Sequence, residues 1–257
     1  KEEINFLIKN INIENEFILT NRYTANIKVN FDKKEIVRLL RNYKINYSDT
    51  ESSNLLFIAI ENNILNKEGL SKNNIFYQKI NLKKFGLLNF QYPDLSPNDR
   101  FVLSYKDIKK IKLKSLKNIS KKYNARFVII INITAKNHIY DLEINMFSSI
   151  TNKIIDTYNF QTDKNNDFQN QLLLLILDWW KKFNIIEHNK INKKLCFIKN
   201  SNINELYFII SKIKSISQVK SLSISKINLG MNLYEFIYYG DSNNLFLKLS
   251  RNNIIKK

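Results

Sequence analysis

The stretch Phe127-Val128-Ile129-Ile130-Ile131-Asn132-Ile133 most narrows what this chain can fold into. Nearly every residue in it is apolar and β-branched or aromatic, a composition that suits a central β-strand covered on both faces. Two further strands follow. Ile139 to Met146 comes after a turn at Lys136-Asn137-His138, and Lys153 to Phe160 after one at Thr151-Asn152. Upstream, Lys106 to Tyr123 reads as one basic helix with Ile108, Ile111, Leu113, Leu116 and Ile119 on its apolar side. The middle of the chain is therefore a helix feeding an antiparallel meander. Phe168 to Ile186 is the longest expected helix and is apolar on nearly every side, which suits burial between layers or against a partner.

Toward the N-terminus, Tyr23, Ala25, Ile27, Val29 and Phe31 alternate with polar residues, so Arg22 to Phe31 reads as a half-buried strand. Asp32 stands three residues before Glu35, a capping-box-like start to a helix that carries Ile36, Val37, Leu39, Leu40 and Tyr43 on one face. Leu55 to Ile60 is a continuous apolar run of strand length, completing a strand-helix-strand opening. A short helix is expected from Asn74 to Phe85, with Ile75, Phe76, Ile80 and Leu82 inward. A strand from Leu87 to Tyr92 is stopped by Pro93, and Pro97 keeps the next segment irregular.

The last segment has its own pattern. Leu195 to Ile198 reads as a strand, and Asn202 with Glu205 opens a helix bearing Leu206, Phe208, Ile209 and Ile213. Val219 to Ile227 and Leu233 to Tyr239 alternate as strands, and Gly240-Asp241 precedes a final helix through Leu245, Phe246 and Leu249. The order β-α-β-β-α is most of a ferredoxin-like sandwich. The expected class is mixed α+β, with antiparallel-rich sheets packed against helices. Two domains are expected, an N-terminal α/β domain over 1–189 and a ferredoxin-like one over 190–257.

With 257 residues and 44% hydrophobic content, the chain can bury its cores without disulfides or metals. Its single cysteine, Cys196, excludes an internal disulfide and a Cys-rich zinc site, and reads as a small buried apolar residue. The net charge of +18 has two competing explanations. Lys, Asn and Ile share A/T-rich codons, so a base-biased genome enriches them without selection on binding. Alternatively the charge serves nucleic acid or an anionic membrane surface, with Lys109, Lys110, Lys112, Lys117 and Lys121 of the basic helix as its footprint. No stretch reaches the ~18 apolar residues of a membrane span. The chain begins at Lys1, inside the amphipathic pattern Ile4, Phe6-Leu7-Ile8, Ile11. It reads as a product from which a signal peptide has been removed, placing it in the periplasm or envelope, with the cytoplasm as the alternative.

Catalytic patterns are missing from the sequence. There is no phosphate-cradling glycine motif among the four glycines, no G-x-S-x-G elbow and no metal-ligand spacing around His138 or His188, which read as solvated. No cofactor or metal is expected. Asp94 and Asp99, in Asp94-Leu95-Ser96-Pro97-Asn98-Asp99, read as turn formers, and a hydrolase-type site would need them to meet a distant partner. Trp179-Trp180 is the most distinctive dipeptide. Adjacent helical positions point about 100° apart, so one ring is expected to seal the core. The other is expected to be partly exposed or to meet another surface; core packing is the first reading of the pair, and Trp179, Trp180 and Phe183 are the interface candidates if it fails. Tyr234, Phe236 and Tyr238 share one strand face and read as core rather than as an RNA platform.

Arg22-Tyr23-Thr24-Ala25 through Val29-Asn30-Phe31-Asp32, then Ile36-Val37-Arg38-Leu39-Leu40-Arg41, resembles the opening "RYxAxxxVxFDxxxVxxLLR" of the Domain of Unknown Function 2066 family of proteobacteria. Tyr92 to Asp99, Ser120 to Ile131 and Trp180-Lys181 are similar to later stretches of that family. The extra Trp179, the few glycines and the Lys/Asn bias depart from it. The resemblance implies an exported envelope protein of unassigned role and brings no catalytic residues. The expectation is a non-enzymatic, envelope-associated binding or scaffold protein with a protein partner and contact at the membrane periphery. The alternative is a charge-driven binder of nucleic acid or an anionic surface.

Overall fold

A computed structural model describes residues 5–62, 67–68, 70–74, 76–77, 82–136, 138–163, 168–199, 202–228, 231–252 and 254. The chain forms two compact units, one of Lys1–Asp49 with Asn184–Lys257 and one of Thr50–Phe183. In chain order the first unit begins with β1 (Ile8–Leu19), β2 (Arg22–Phe31) and α1 (Lys33–Asn42). The second unit holds β3 (Asn54–Asn62), β4 (Lys67–Glu68), β5 (Lys84–Phe85) and β6 (Leu88–Gln91). It continues with α2 (Pro97–Val102), α3 (Tyr105–Lys109), α4 (Leu113–Lys122), β7 (Phe127–Lys136), β8 (Ile139–Ser148), β9 (Lys153–Asp163) and α5 (Phe168–Phe183). The chain returns to the first unit through β10 (Ile191–Lys199), α6 (Ile203–Lys214), β11 (Val219–Lys226), β12 (Met231–Tyr239) and α7 (Ser242–Arg251). The class is mixed α+β. Residues 1–49, grouped by sequence with the N-terminal domain, cluster with the C-terminal segment instead, and the second crossing falls at Asn184 rather than near 190.

The central unit is a mixed sheet in the order β5-β6-β3-β7-β8-β9, with β4 paired to the end of β3. Strand β3 runs parallel to both β6 and β7, while β7, β8 and β9 form the antiparallel meander. Strand β7 explains its own composition. Phe127, Ile129, Ile131 and Ile133 pack under α5, and Val128 and Ile130 pack under the helices of the opposite face. The single basic helix expected over Lys106–Tyr123 is two helices. Ile111 adopts φ 49° between them, Ser104 caps α3 through the Asp107 amide, and Lys110 ends it. The loop Gly86-Leu87 joins β5 to β6, and a Cβ on Gly86 (φ 57°) would press on Leu177 of α5 at 3.3 Å. Of the short helix expected over Asn74–Phe85, Ile75 and Ile80 lie outside the described residues, as does Asn137 of the β7–β8 turn. Lys84 and Phe85 form strand β5.

The C-terminal segment forms the expected β-α-β-β-α unit, with an antiparallel sheet in the order β10-β12-β11. Tyr234, Phe236 and Tyr238 face its core with Ile198, Ile213, Ile216, Val219 and Leu245. Asp32 caps α1 through the amides of Lys34 and Glu35, as its position suggested. The opening strand-helix-strand, however, does not share a sheet. Strand β2 pairs with β1 alone, making a two-stranded ribbon.

Candidate functional site

The ribbon is one-sided. Directly opposed residues of an antiparallel pair lie on the same face, and the pairs Ile8–Phe31, Ile11–Val29, Ile13–Ile27 and Ile18–Tyr23 stack along one face. The other face carries Asn10 with Asn30, Asn12 with Lys28 and Glu14 with Asn26. The alternation read from β2 is therefore real, but its apolar side is not half-buried. Ile27 is 63% exposed, Ile18 79%, and Ile11, Ile13, Tyr23 and Phe31 are all exposed. Phe17 and Leu19 are exposed too, but their partners Thr24 and Arg22 put them on the opposite face at the tip. Strand β1 escaped the sequence reading because its periodicity breaks. The register shifts between Glu14 and Phe17, where Asn15 takes φ 53°, so Ile13 and Ile18 share a face despite an odd spacing.

An isolated two-stranded hairpin is marginal in water at best. The apolar face, ten residues long and two strands wide, covers roughly 330 Å², and covering it is worth roughly 8 kcal/mol gross. Three basic residues (Lys9, Arg22, Lys28) stand against two acidic ones (Glu14, Glu16) along the ribbon, so its local charge is nearly balanced.

The tryptophans are elsewhere and have another role. Trp179 and Trp180 are 3% and 1% exposed, which corrects the expectation that one ring would be partly open. The sheet under α5 is broad enough to cover the arc between them, and Phe127 meets Trp179, Trp180 and Phe183 edge-on. The Trp180 indole N–H donates to the Thr50 carbonyl at 2.6 Å. Phe183 stacks on Trp179 and stays 42% exposed, the one open ring of the three.

The candidate anion-binding lysines are split by the helix break. Lys109, Lys110, Lys112 and Lys121 are exposed and Lys117 is half-buried, with Lys112 ion-paired to Asp107 at 3.2 Å. Asp99 is fully buried. Its carboxylate accepts from Lys122 at 2.6 Å and Tyr123 at 2.8 Å, and it closes a capping box with Ser96 at the start of α2. Burial opposes its charge, yet these donors hold its pKa below the ordinary value. Asp94 is exposed, and its backbone amide donates to the Tyr123 hydroxyl at 2.8 Å. Among the described residues no group of three metal-ligating side chains converges. No described helix is long and apolar enough to cross a membrane.

The first unit also holds a buried polar cluster that the sequence did not advertise. Lys248, 8% exposed, bonds Asp49 at 2.6 Å and the Ser217 hydroxyl at 3.0 Å. Burial works against the Asp49 charge, but Lys248 and Ser217 outweigh it and bring its pKa down to about 2. Arg41 donates to the Ser217 carbonyl and lies 4.9 Å from the Tyr239 ring centre. His188, expected to be solvated, is buried between Tyr47 and Tyr239 at 5.4 and 5.5 Å, and burial lowers its pKa. His138 is exposed. Cys196 is half-buried on β10, and burial raises its thiol pKa, which leaves it a poor nucleophile. Within the cluster Asp49 offsets Lys248, while Arg41 is held by the Ser217 carbonyl and the Tyr239 ring.

No protein-family model matches the chain, and no curated protein matches it. Among solved structures, the C-terminal domain of LpoB from Salmonella enterica aligns over 45% of this chain and 86% of that domain, at 16% identity and a TM-score of 0.31. The C-terminal domain of LpoB from Escherichia coli aligns over 50% of this chain and 93% of that domain, at 7% identity and a TM-score of 0.25. Both likenesses are distant.

Proposed function

We propose that this is a non-enzymatic binding protein of the cell envelope whose working surface is the apolar face of the β1–β2 ribbon, docked on an apolar surface of a protein partner. The carrying observation is the run of opposed apolar pairs from Ile8–Phe31 to Ile18–Tyr23, with its members left open to water. An apolar patch of this extent matches the largest on a typical monomer, and such patches are often functional. Charge and area constrain the occupant. The ribbon's balanced charge offers no special attraction to nucleic acid or anionic lipid, which a charge-driven binder needs. The face alone would bury roughly 700 Å² in total against any protein, short of the ~1,200 Å² of a stable interface, so the partner also engages surface beyond the ribbon. The envelope location and membership of the Domain of Unknown Function 2066 family rest on the sequence resemblance alone, and are part of the same proposal.

The test is the double variant Ile11→Asn/Ile27→Asn. Both side chains are more than half exposed, so the thermal melt stays where it was. Binding to the partner, rebuilt from purified components, falls by about 100-fold or more, as loss of central apolar contacts requires. Unchanged partner binding contradicts the proposal. So does a ribbon that floats with vesicles, or one that makes the chain dimeric, in a manner abolished by the same variant.

A further inference from the structure

The sheet of the central unit turns polar at one end of the face opposite α5. Leu56, Ile58, Ile60, Val128, Ile130 and Phe147 are covered there by α3 and α4 through Ile108, Leu116 and Ile119. Beyond Ile130 on the same face the strands carry Asn132 and Thr134 on β7, Asp141, Glu143 and Asn145 on β8, and Thr157 and Asn159 on β9. This end lines an open cleft of about 570 Å³.

The hydrogen bonds along this row all point one way. Tyr105 of α3 donates to Asn62 Oδ1, and Asn62 Nδ2 donates to Asn132 Oδ1 at 2.7 Å. Asn132 Nδ2 then donates to Glu143 Oε2 at 3.4 Å. From the other side, the Thr157 hydroxyl donates to Asn145 Oδ1 at 2.7 Å, and Asn145 Nδ2 donates to Glu143 Oε1 at 3.1 Å. Two relays from four strands and a helix thus end on one carboxylate. Each amide in the row spends its carbonyl receiving and its NH₂ giving, which fixes the orientation of the whole set.

Glu143 has no cation beside it among the described residues. In the same cleft Asp141 is paired with Lys136, and the buried or half-buried Asp49, Asp99, Asp107 and Glu235 each have a lysine. A carboxylate offers about four lone-pair positions, and the two amides occupy two. The remaining acceptor capacity of Glu143, half-buried on a rigid strand, is available to the cleft.

We propose that this cleft is a binding site for a ligand bearing a guanidinium or primary ammonium group, anchored on Glu143. A charge-assisted hydrogen bond to a preorganised carboxylate is the strongest contact the lining can make. The chain's overall positive charge does not forbid it, because fields from beyond ~8 Å are screened at physiological salt. Of the two carboxylates that line the cleft, Asp141 is offset by Lys136 and Glu143 has no ion pair among the described residues.

The test is a titration of the ¹⁵N-labelled full chain with arginine amide acetylated on its α-nitrogen (arginine amide below), with the α-acetylated citrulline amide (citrulline amide below) as the neutral isostere and glucose as a polyhydroxyl probe. The side-chain amide signals of Asn132 and Asn145 report the site. Arginine amide shifts both with a saturating curve, and citrulline amide and glucose bind at least about tenfold more weakly. Glu143→Gln weakens arginine amide binding by a similar factor, and added salt weakens it in the unmodified protein, a check that needs no variant to fold. Equal response to arginine and citrulline amides, preference for glucose, no saturable shift, or salt-independent binding each overturns the proposal.

Discussion

Replacing Trp180 by Phe separates a core role from a surface role for the helix that carries it. The ring is 1% exposed, and its N–H reaches the Thr50 carbonyl at 2.6 Å beside a Thr50 that is itself 4% exposed. Phenylalanine fills part of the volume but cannot donate. The orphaned carbonyl costs about 1–3 kcal/mol, and the lost ring atoms a further ~1–2 kcal/mol in transfer and packing. The sum is about 3 kcal/mol. For a unit spanning Thr50–Phe183, this lowers the melting temperature by roughly 10 °C. Differential scanning calorimetry of the full chain reads it directly. Phe183→Ala, at the open ring of the same helix end, should cost only about 1 kcal/mol. A Trp180→Phe protein that melts within about 1 °C of the parent would refute the placement of this ring in the core.

The remaining predictions concern the first unit. The Asp49 pKa is brought down to about 2 from an ordinary 3.8. A carboxylate depressed on folding contributes stability that is complete above the ordinary value and is lost as pH falls through the folded one. An acid titration followed by urea melts should therefore lose about 2 kcal/mol between roughly pH 4 and pH 2, and Asp49→Asn should abolish that limb. At neutral pH the same variant costs about 3 kcal/mol, because Lys248 keeps a buried charge without its carboxylate. Gly240 has φ 70°, and a Cβ there would lie 3.3 Å from the Glu187 amide nitrogen. Gly240→Ala should destabilise by about 1–2 kcal/mol in urea melts, the combined cost of left-handed backbone and close contact.

Much of the architecture was legible because its causes are local. The run around Ile130 is apolar on both faces because helices cover both, and the C-terminal β-α-β-β-α order follows from alternation and the Asn202 cap. Alternation in β2 also named the right face. What it could not say is whether anything covers that face, since burial is decided by the whole chain and periodicity only by the strand. The helix break at Ile111 was hidden for a similar reason. Apolar spacing continues through it, and only the backbone turn at φ 49° shows where one helix ends. The return of residues 1–49 to the C-terminal segment rests on contacts distant in sequence, such as Lys248 with Asp49 and Arg41 with Ser217. The Glu143 row was invisible because its members lie on five elements, and each looks like an ordinary polar strand or helix residue.

The most direct test of the ribbon as the working surface places a photo-crosslinking residue at Ile27, on the apolar face, and separately at Asn26, on the polar face one residue away. The account predicts that Ile27 joins to one protein partner in near-stoichiometric yield in the living cell, while Asn26 leaves that partner unlabelled. Equal labelling from both positions, or adducts only to lipid or to a second copy of the chain, would contradict it.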